Sequence, residues 1–251
     1  MNARNLSLVI LLLGLVGGLC AQNTAPQRVL FVGNSYTYFW NLPQQVAAMA
    51  ASQDIGLFTR QSTSGGTNLG QHWRGEKGLR SLALIQSGDF DAVIIQDHSL
   101  RALDHPDSLL LYGERFGEAI RVAGARTYLY MTWARPWDPY MQADITARYT
   151  ELAERIGATI VPVGPAWARA RELRPDLELF HPDQHHPSPT GAYLSACVFY
   201  GVLTGHSPIG LPPRLETVDR DGEPLYLNIQ TPENAQFCQK VAAEILQAYA
   251  Q

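Results

Sequence analysis

The sequence has 251 residues, of which 46% are apolar and 17% charged, and its formal net charge is −4. This composition is typical of a globular protein and favours one large domain over two small ones. The acidic balance argues against a nucleic-acid partner, and the lack of long runs of like charge argues against a disordered interaction tail.

The N-terminal 21 residues have the pattern of a secretory signal peptide. Arg4 precedes an apolar run over residues 6–19, and small residues follow it. The run is shorter than the roughly 20 residues that span a bilayer, so we expect no stable membrane insertion. Lipid attachment to Cys20 is the less favoured alternative, because Leu19 stands where a lipoprotein signal usually has a small residue. The sequence therefore predicts a secreted or periplasmic protein with a signal peptide at 1–21 and a single domain at 22–251.

Two cysteines remain in that domain, Cys197 and Cys238. Export would permit a disulfide between them, but two cysteines are too few for a disulfide scaffold. Of the two alternatives, the sequence favours two buried thiols.

Short apolar runs alternate with longer amphipathic segments from residue 28 onwards. Strands are predicted at residues 29–32, 57–61, 92–95, 127–131 and 159–161. Helices are predicted at residues 78–86, 108–122, 141–156, 165–173, 189–203 and 232–249, and a further helix is predicted to begin after Asn41, with a capping-box spacing to Gln44. A Gly- and Pro-rich loop is expected before the last helix. Continuous apolar strands separated by helices predict an α/β fold, a three-layer α/β/α sandwich on a five-stranded parallel sheet of flavodoxin-like order.

The first candidate for chemistry is Ser35, in the turn Gly33-Asn34-Ser35 that follows the first predicted strand. A serine at this point is exposed and close to backbone amides. The same residue types are common in ordinary turns, so the tripeptide alone does not indicate catalysis.

The second candidate is the segment Asp183-Gln184-His185-His186. A serine hydroxyl needs a base to take its proton and a third group to orient that base, and an aspartate three residues before a histidine can supply both. A metal site is one alternative, because His181 lies nearby and zinc favours such ligands. Solvated loop histidines without a chemical role are the other.

Two further segments follow the second and third predicted strands. Gly65 and Gly66 follow the second strand, and Gln96 follows the third. Amides beside glycine and a carboxamide side chain are suitable donors to a developing oxyanion. Ordinary turn and strand-end roles are the alternatives for both segments.

The order of these four blocks resembles the SGNH (GDSL-like) hydrolase superfamily, whose blocks are Gly-Asp-Ser, a lone Gly, Gly-x-Asn-Asp and Asp-x-x-His. The resemblance implies Ser35 as nucleophile, His186 as base and Asp183 as its partner. It also implies an oxyanion hole formed by Ser35, Gly66 (or less favourably Gly65) and Gln96. Asn34 replaces the usual aspartate and Gln96 the usual asparagine, which is similar to a secreted bacterial branch.

The implied activity is hydrolysis of carboxylic esters, with no cofactor and no metal. Aromatic residues crowd the predicted crevice, and we expect Tyr36, Trp133 and Arg135 to bind substrate. Packing in the core or under loops is the alternative for the aromatic residues. Arg135 could meet a carboxylate of the substrate, and an ion pair within the protein is the equal alternative. Extracellular members often remove acetyl groups from glycans, so the sequence favours a carbohydrate O-acetylesterase acting on a glycan or small-molecule ester. The alternatives are a lipase or thioesterase, and a non-catalytic glycan-binding protein of the same fold. The sequence does not define the oligomeric state.

Overall fold

A computed structural model of the protein describes residues 25–250. The predicted signal peptide lies outside these residues. Five parallel strands form the central sheet: β1 (Gln27–Gly33), β2 (Leu57–Thr63), β3 (Ala92–Ile95), β4 (Arg126–Tyr130) and β5 (Thr159–Val161). Their order across the sheet is β2-β1-β3-β4-β5. The predicted five-stranded parallel sheet is confirmed.

Ten α-helices flank the strands in the described residues. They are α1 (Ser35–Tyr38), α2 (Leu42–Ala51), α3 (Leu69–Arg74), α4 (Ser81–Gln86), α5 (Arg101–Asp104), α6 (Pro106–Val122), α7 (Met141–Ile156), α8 (Val163–Leu173), α9 (Pro189–Thr204) and α10 (Pro232–Tyr249). None of them is long and apolar enough to cross a membrane.

Alternate residues of β1, β3 and β4 face two separate cores, which is why these strands are continuous apolar runs in the sequence. Val29 and Phe31 of β1 face a core shared with α2, α8, α9 and α10. Leu30 and Val32 face a second core shared with α6 and α7. The three-layer α/β/α sandwich is therefore confirmed. Cys197 and Cys238 are buried thiols, as the sequence favoured.

Two local predictions are wrong. Asn41 precedes α2 but does not cap it: its backbone is left-handed, with φ at 51°, and its side chain accepts no hydrogen bond from the helix. The segment predicted as a loop contains an antiparallel hairpin, β6 (Arg214–Val218) and β7 (Pro224–Ile229). The hairpin is anchored to the sandwich because Asn228 Nδ2 donates to Gln45 Oε1 at 3.0 Å and to the Pro189 carbonyl at 2.8 Å.

The carboxyl ends of β1, β2 and β3 meet at one edge of the sheet because these strands are parallel neighbours. The serine turn, the glycine segment and Gln96 follow these three ends in turn. Strand order thus brings three of the four sequence blocks together, and the usual crevice of such sheets lies at this edge.

Candidate active site

Ser35 is the first residue of α1, directly after β1, and is half-buried. Gly33 must be glycine, since a Cβ there would lie 2.3 Å from Thr37 Oγ1 and 2.6 Å from Gln96 Oε1. Asn34 then caps α1, and its Oδ1 accepts from the Tyr36 amide at 3.1 Å. A sharp strand-to-helix turn of this kind presents the serine hydroxyl at the sheet edge.

Asp183 and His186 lie on one loop between α8 and α9. The loop is closed by hydrogen bonds, with the His181 amide donating to the His186 carbonyl at 2.8 Å. Asp183 Oδ1 accepts from the amides of His185 and His186, each at 3.0 Å. Its other oxygen, Oδ2, lies 2.7 Å from His186 Nδ1. The loop therefore fixes the Asp–His pair before any contact with the serine.

His186 Nε2 lies 2.7 Å from Ser35 Oγ, across 151 positions of sequence. The structure thus brings together the three residues implied as nucleophile, base and orienting acid. Phe39 stacks on the His186 ring at 4.1 Å with an interplanar angle of 6°. Trp40 Nε1 donates to the Pro187 carbonyl at 2.8 Å and anchors the same loop. The sequence pattern does not indicate that Phe39 and Trp40 support this loop.

The electrostatics of the loop favour an ionised Asp183. Partial desolvation on its own would raise the pKa of this carboxyl. The hydrogen bonds donated by the backbone and side chain of His186 and by the His185 amide outweigh it, and the pKa lies well below its usual range. A carboxylate that stays charged can hold the His186 ring with Nδ1–H toward it and stabilise the imidazolium that forms on proton transfer.

Two backbone amides are available to an oxyanion. Within the described residues, neither the Ser35 amide nor the Gly66 amide donates a hydrogen bond to any protein group. Gly66 has a left-handed backbone, with φ at 65°, and lines the cavity beside Ser35, whereas Gly65 does not. The geometry favours Gly66 as the glycine of the pair.

The structure does not place Gln96 as an oxyanion donor. Its side chain is fully buried and does not line the cavity. Gln96 Oε1 accepts from the Asn34 amide at 3.2 Å and from Thr37 Oγ1 at 3.0 Å, and its Nε2 donates to Asn34 Oδ1 at 3.1 Å and to the Asp97 carbonyl. The side chain of Gln96 is not available to an oxyanion because it points toward the serine turn, and both of its polar atoms are hydrogen-bonded there and to Asp97.

The hydrogen bonds of Asn34 account for an asparagine where the first SGNH block usually has an aspartate. Its Nδ2 donates to the Thr67 carbonyl at 2.9 Å and to the Asp97 carbonyl at 3.3 Å. An ionised aspartate has no donor to offer. Asn34 therefore joins the serine turn to the glycine segment and to the end of β3, three of the four segments that form the site.

A cavity of about 320 Å³ opens beside Ser35. Tyr36 and Arg135, two of the three predicted substrate-binding residues, line it. Trp133 does not: it is buried between Tyr36 and Trp167, with ring centroids 4.5 and 3.9 Å away. Its Nε1 donates to the His185 carbonyl at 3.1 Å, so Trp133 supports the loop from beneath. Its prediction as a substrate-binding residue is wrong because the ring serves the core.

A metal site would use the same loop. Ligand atoms of Asp183, His185 and His186 all lie within 4.8 Å of one another. However, both ring nitrogens of His186 already have partners, Asp183 on one side and Ser35 on the other. Metal binding by His186 would break one of these two hydrogen bonds.

The chain matches no protein-family model and no curated protein sequence. Among solved structures, a protein from Slackia heliotrinireducens proposed to be an SGNH hydrolase is 25% identical, with 71% of this chain and 99% of that chain covered and a TM-score of 0.58. A DUF4886 family protein from Bacteroides uniformis is 19% identical, with coverages of 88% and 95% and a TM-score of 0.71. A variant of an acetyl xylan esterase from Geobacillus stearothermophilus is 15% identical, with coverages of 70% and 93% and a TM-score of 0.54.

The class of protein follows from the fold and these likenesses together. The described residues have the SGNH hydrolase fold, and the resemblance that the sequence blocks predict is confirmed at this level. A hydrolase that acts on ester bonds, the predicted enzyme class, is the class that the comparisons support.

Proposed function

We propose that the protein is a secreted serine esterase that removes acetyl groups from carbohydrates. The observation that carries the proposal is the continuous chain of hydrogen bonds from Ser35 Oγ through His186 to Asp183, with both links 2.7 Å long. This is the arrangement in which a hydroxyl becomes a nucleophile at neutral pH.

In the proposed mechanism, Ser35 Oγ attacks the ester carbonyl carbon while His186 Nε2 takes the serine proton. The negative charge that develops on the carbonyl oxygen is bound by the amides of Ser35 and Gly66. The imidazolium then gives its proton to the departing alcohol, leaving an acyl group on Ser35. Water then attacks the acyl carbon while His186 Nε2 takes a water proton. The imidazolium returns this proton to Ser35 Oγ as the bond between Oγ and the acyl carbon breaks and the acid leaves, and Asp183 stays ionised throughout.

The lining of the cavity supports a small acyl group and a polar alcohol. The nine lining residues are Asn34, Ser35, Tyr36, Gly66, His98, Ser99, Arg135, His185 and His186, none of them aliphatic. A long acyl chain would need apolar lining that this cavity lacks, which argues against a lipase. Acetyl xylan esterases are among the proteins with this fold. The signal-peptide pattern at 1–21 supports secretion.

The experiment is Ser35→Ala assayed on nitrophenyl esters of increasing chain length. We expect the wild type to prefer the acetate and the variant to lose at least about 10³-fold in kcat, because no other group can replace the nucleophile. Ser207→Ala is the matched control, because Ser207 is an exposed serine in the loop after α9, and this variant should keep full activity.

Near-normal turnover by Ser35→Ala would reject the nucleophile, and a preference for long chains would favour the lipase alternative. If the wild type binds acetylated glycans but hydrolyses no ester, the result would favour the alternative of a non-catalytic glycan-binding protein.

A further inference from the structure

Arg135 is a buried cation with no anion beside it. It is only 7% exposed, and it is the one lysine or arginine buried among residues 25–250. Its guanidinium donates to two neutral hydroxyls, the Tyr36 Oη and Ser99 Oγ, the latter at 2.9 Å. None of the ion pairs in the described residues includes it. Burial of an unpaired charge is costly, so its retention requires an explanation.

Arg135 is one of the residues that line the cavity beside Ser35. Two of its five N–H groups have protein acceptors, and the remaining donors keep the planar geometry that suits a carboxylate. Tyr36, which accepts one of these bonds, follows Ser35 directly in sequence. An anion bound to Arg135 would therefore lie in the same cavity as the reacting ester.

The other titratable groups of the cavity add no negative charge. His98 and His185 lie on its wall. Burial, together with nearby charged groups that include Arg135, lowers the pKa of both rings, so both are neutral at physiological pH. Asp183, the acid of the adjoining loop, is held by His186 and by two amides. The cavity thus carries one fixed positive charge, which matches a monoanion better than a dianion.

We propose that Arg135 binds a carboxylate of the substrate, so that the substrate is an acetyl ester of an acidic sugar, such as a uronic acid, rather than of a neutral one. The identification of the bound anion as part of the substrate rests on the proposed esterase function. The anion-binding part of the inference stands on the geometry of Arg135 and can be measured without turnover.

The test is calorimetric binding of free galacturonate and of galactose to the wild type. We expect galacturonate to bind at least about tenfold more tightly than galactose, since a charge-assisted bidentate bond is gained. Arg135→Gln should remove this preference, and Arg135→Lys should keep part of it. Arg171→Gln is the matched control, because Arg171 donates to the Pro136 carbonyl of the same loop but does not line the cavity.

Equal binding of the two sugars by the wild type, or a preference that survives in Arg135→Gln, would overturn the inference. If Arg135→Gln does not fold, the wild-type comparison decides alone. A comparison of the hydrolysis of acetylated methyl galacturonoside with that of its methyl ester, which lacks the carboxylate charge, distinguishes the esterase proposal from the proposed role of Arg135. Loss of all hydrolysis with retained galacturonate binding rejects the esterase, whereas hydrolysis of both esters at equal kcat/KM rejects the role of Arg135.

Discussion

At the scale of single residues, Gln96 shows how a position in a recognised block can change its task. Its side chain lies at the end of β3, beside the serine turn, yet both of its polar atoms bond that turn and its neighbour rather than face the cavity. Together with Asn34, it holds the backbone that places Ser35. We infer a positioning role for Gln96.

Gln96→Ala should therefore lower stability more than chemistry. Loss of the side chain leaves the Asn34 amide and the Thr37 hydroxyl buried without partners, which typically costs about 1–3 kcal/mol. We expect a fall of that size in the free energy of unfolding, measured in urea. The kcat of the folded fraction should fall by less than the 10²–10³-fold that loss of an oxyanion donor typically causes. A larger fall in kcat with unchanged stability would restore Gln96 as a donor.

The residues that could be predicted from the sequence are those whose chemistry has a fixed order and spacing. Ser35, Asp183 and His186 were found in this way, and the structure brings their side chains together. The role of Phe39 is not predicted and that of Trp133 is predicted incorrectly, because an aromatic residue has the same appearance in sequence whether it binds substrate, packs in the core or supports a catalytic ring. Only the packing distinguishes these roles.

At the scale of elements, the short helix α3 connects the glycine segment to the rest of the site. Asn68 and Gln71 form a capping box, with the Gln71 amide donating to Asn68 Oδ1 at 3.0 Å and the Asn68 amide donating to Gln71 Oε1 at 3.2 Å. The Leu69 amide donates to Asp97 Oδ1 at 2.9 Å. The start of α3 is therefore fixed three residues after Gly66.

We expect Asn68→Ala to cost about 1 kcal/mol of stability, as loss of a helix cap usually does. It should also lower kcat several-fold, because Gly66 loses its support. Thr231→Ala is the matched control: Thr231 caps α10, accepting from the Asn234 amide at 3.2 Å, far along the chain from the site. Thermal unfolding and kcat of both variants are compared. If both keep full kcat at equal loss of stability, α3 has no part in positioning the glycine segment.

The elements whose limits are predicted correctly are those for which segment length and apolar pattern indicate the same type of secondary structure. Helices α7 and α10 and strands β3 and β5 have the predicted limits. Helix α3 was missed because six residues are too few for a periodic signal. The hairpin was missed because its strands are mostly exposed, and its place depends on the bonds that Asn228 makes to Gln45 and Pro189, distant in sequence.

At the scale of the whole molecule, two buried groups make stability respond to pH in opposite directions. Burial lowers the pKa of His72 to about 4, despite its hydrogen bond to the Gly33 carbonyl. The stability it contributes is present above its unfolded pKa of 6.5 and is lost as the pH falls through about 4. Burial raises the pKa of Asp97 to about 6, so its contribution is present below 3.8 and is lost as the pH rises through about 6.

Each effect is worth roughly 3 kcal/mol at about 1.4 kcal/mol per pKa unit, so the two nearly cancel between about pH 4 and 6. As the pH falls from 6 to 4, the free energy of unfolding of His72→Gln should rise relative to that of the wild type, because the His72 effect is removed and the Asp97 effect remains. Urea unfolding across this range measures both. His206→Gln, an exposed histidine, should follow the wild type. If the plots of unfolding free energy against pH were parallel for the wild type and both variants, the assignment of this pH effect to His72 would be wrong.

The order of the strands also bears on self-association. Unpaired edge strands are the places where one sheet can add to another, and proteins guard them with short strands and charged side chains. Here the edges are β5, which has only three residues, and β2, which carries an exposed Arg60. The guanidinium of Arg28 covers the exposed ring of Phe58 at 4.6 Å. The apolar strands β1 and β3 lie inside, so the backbone that carries Ser35 is kept from pairing with a second chain.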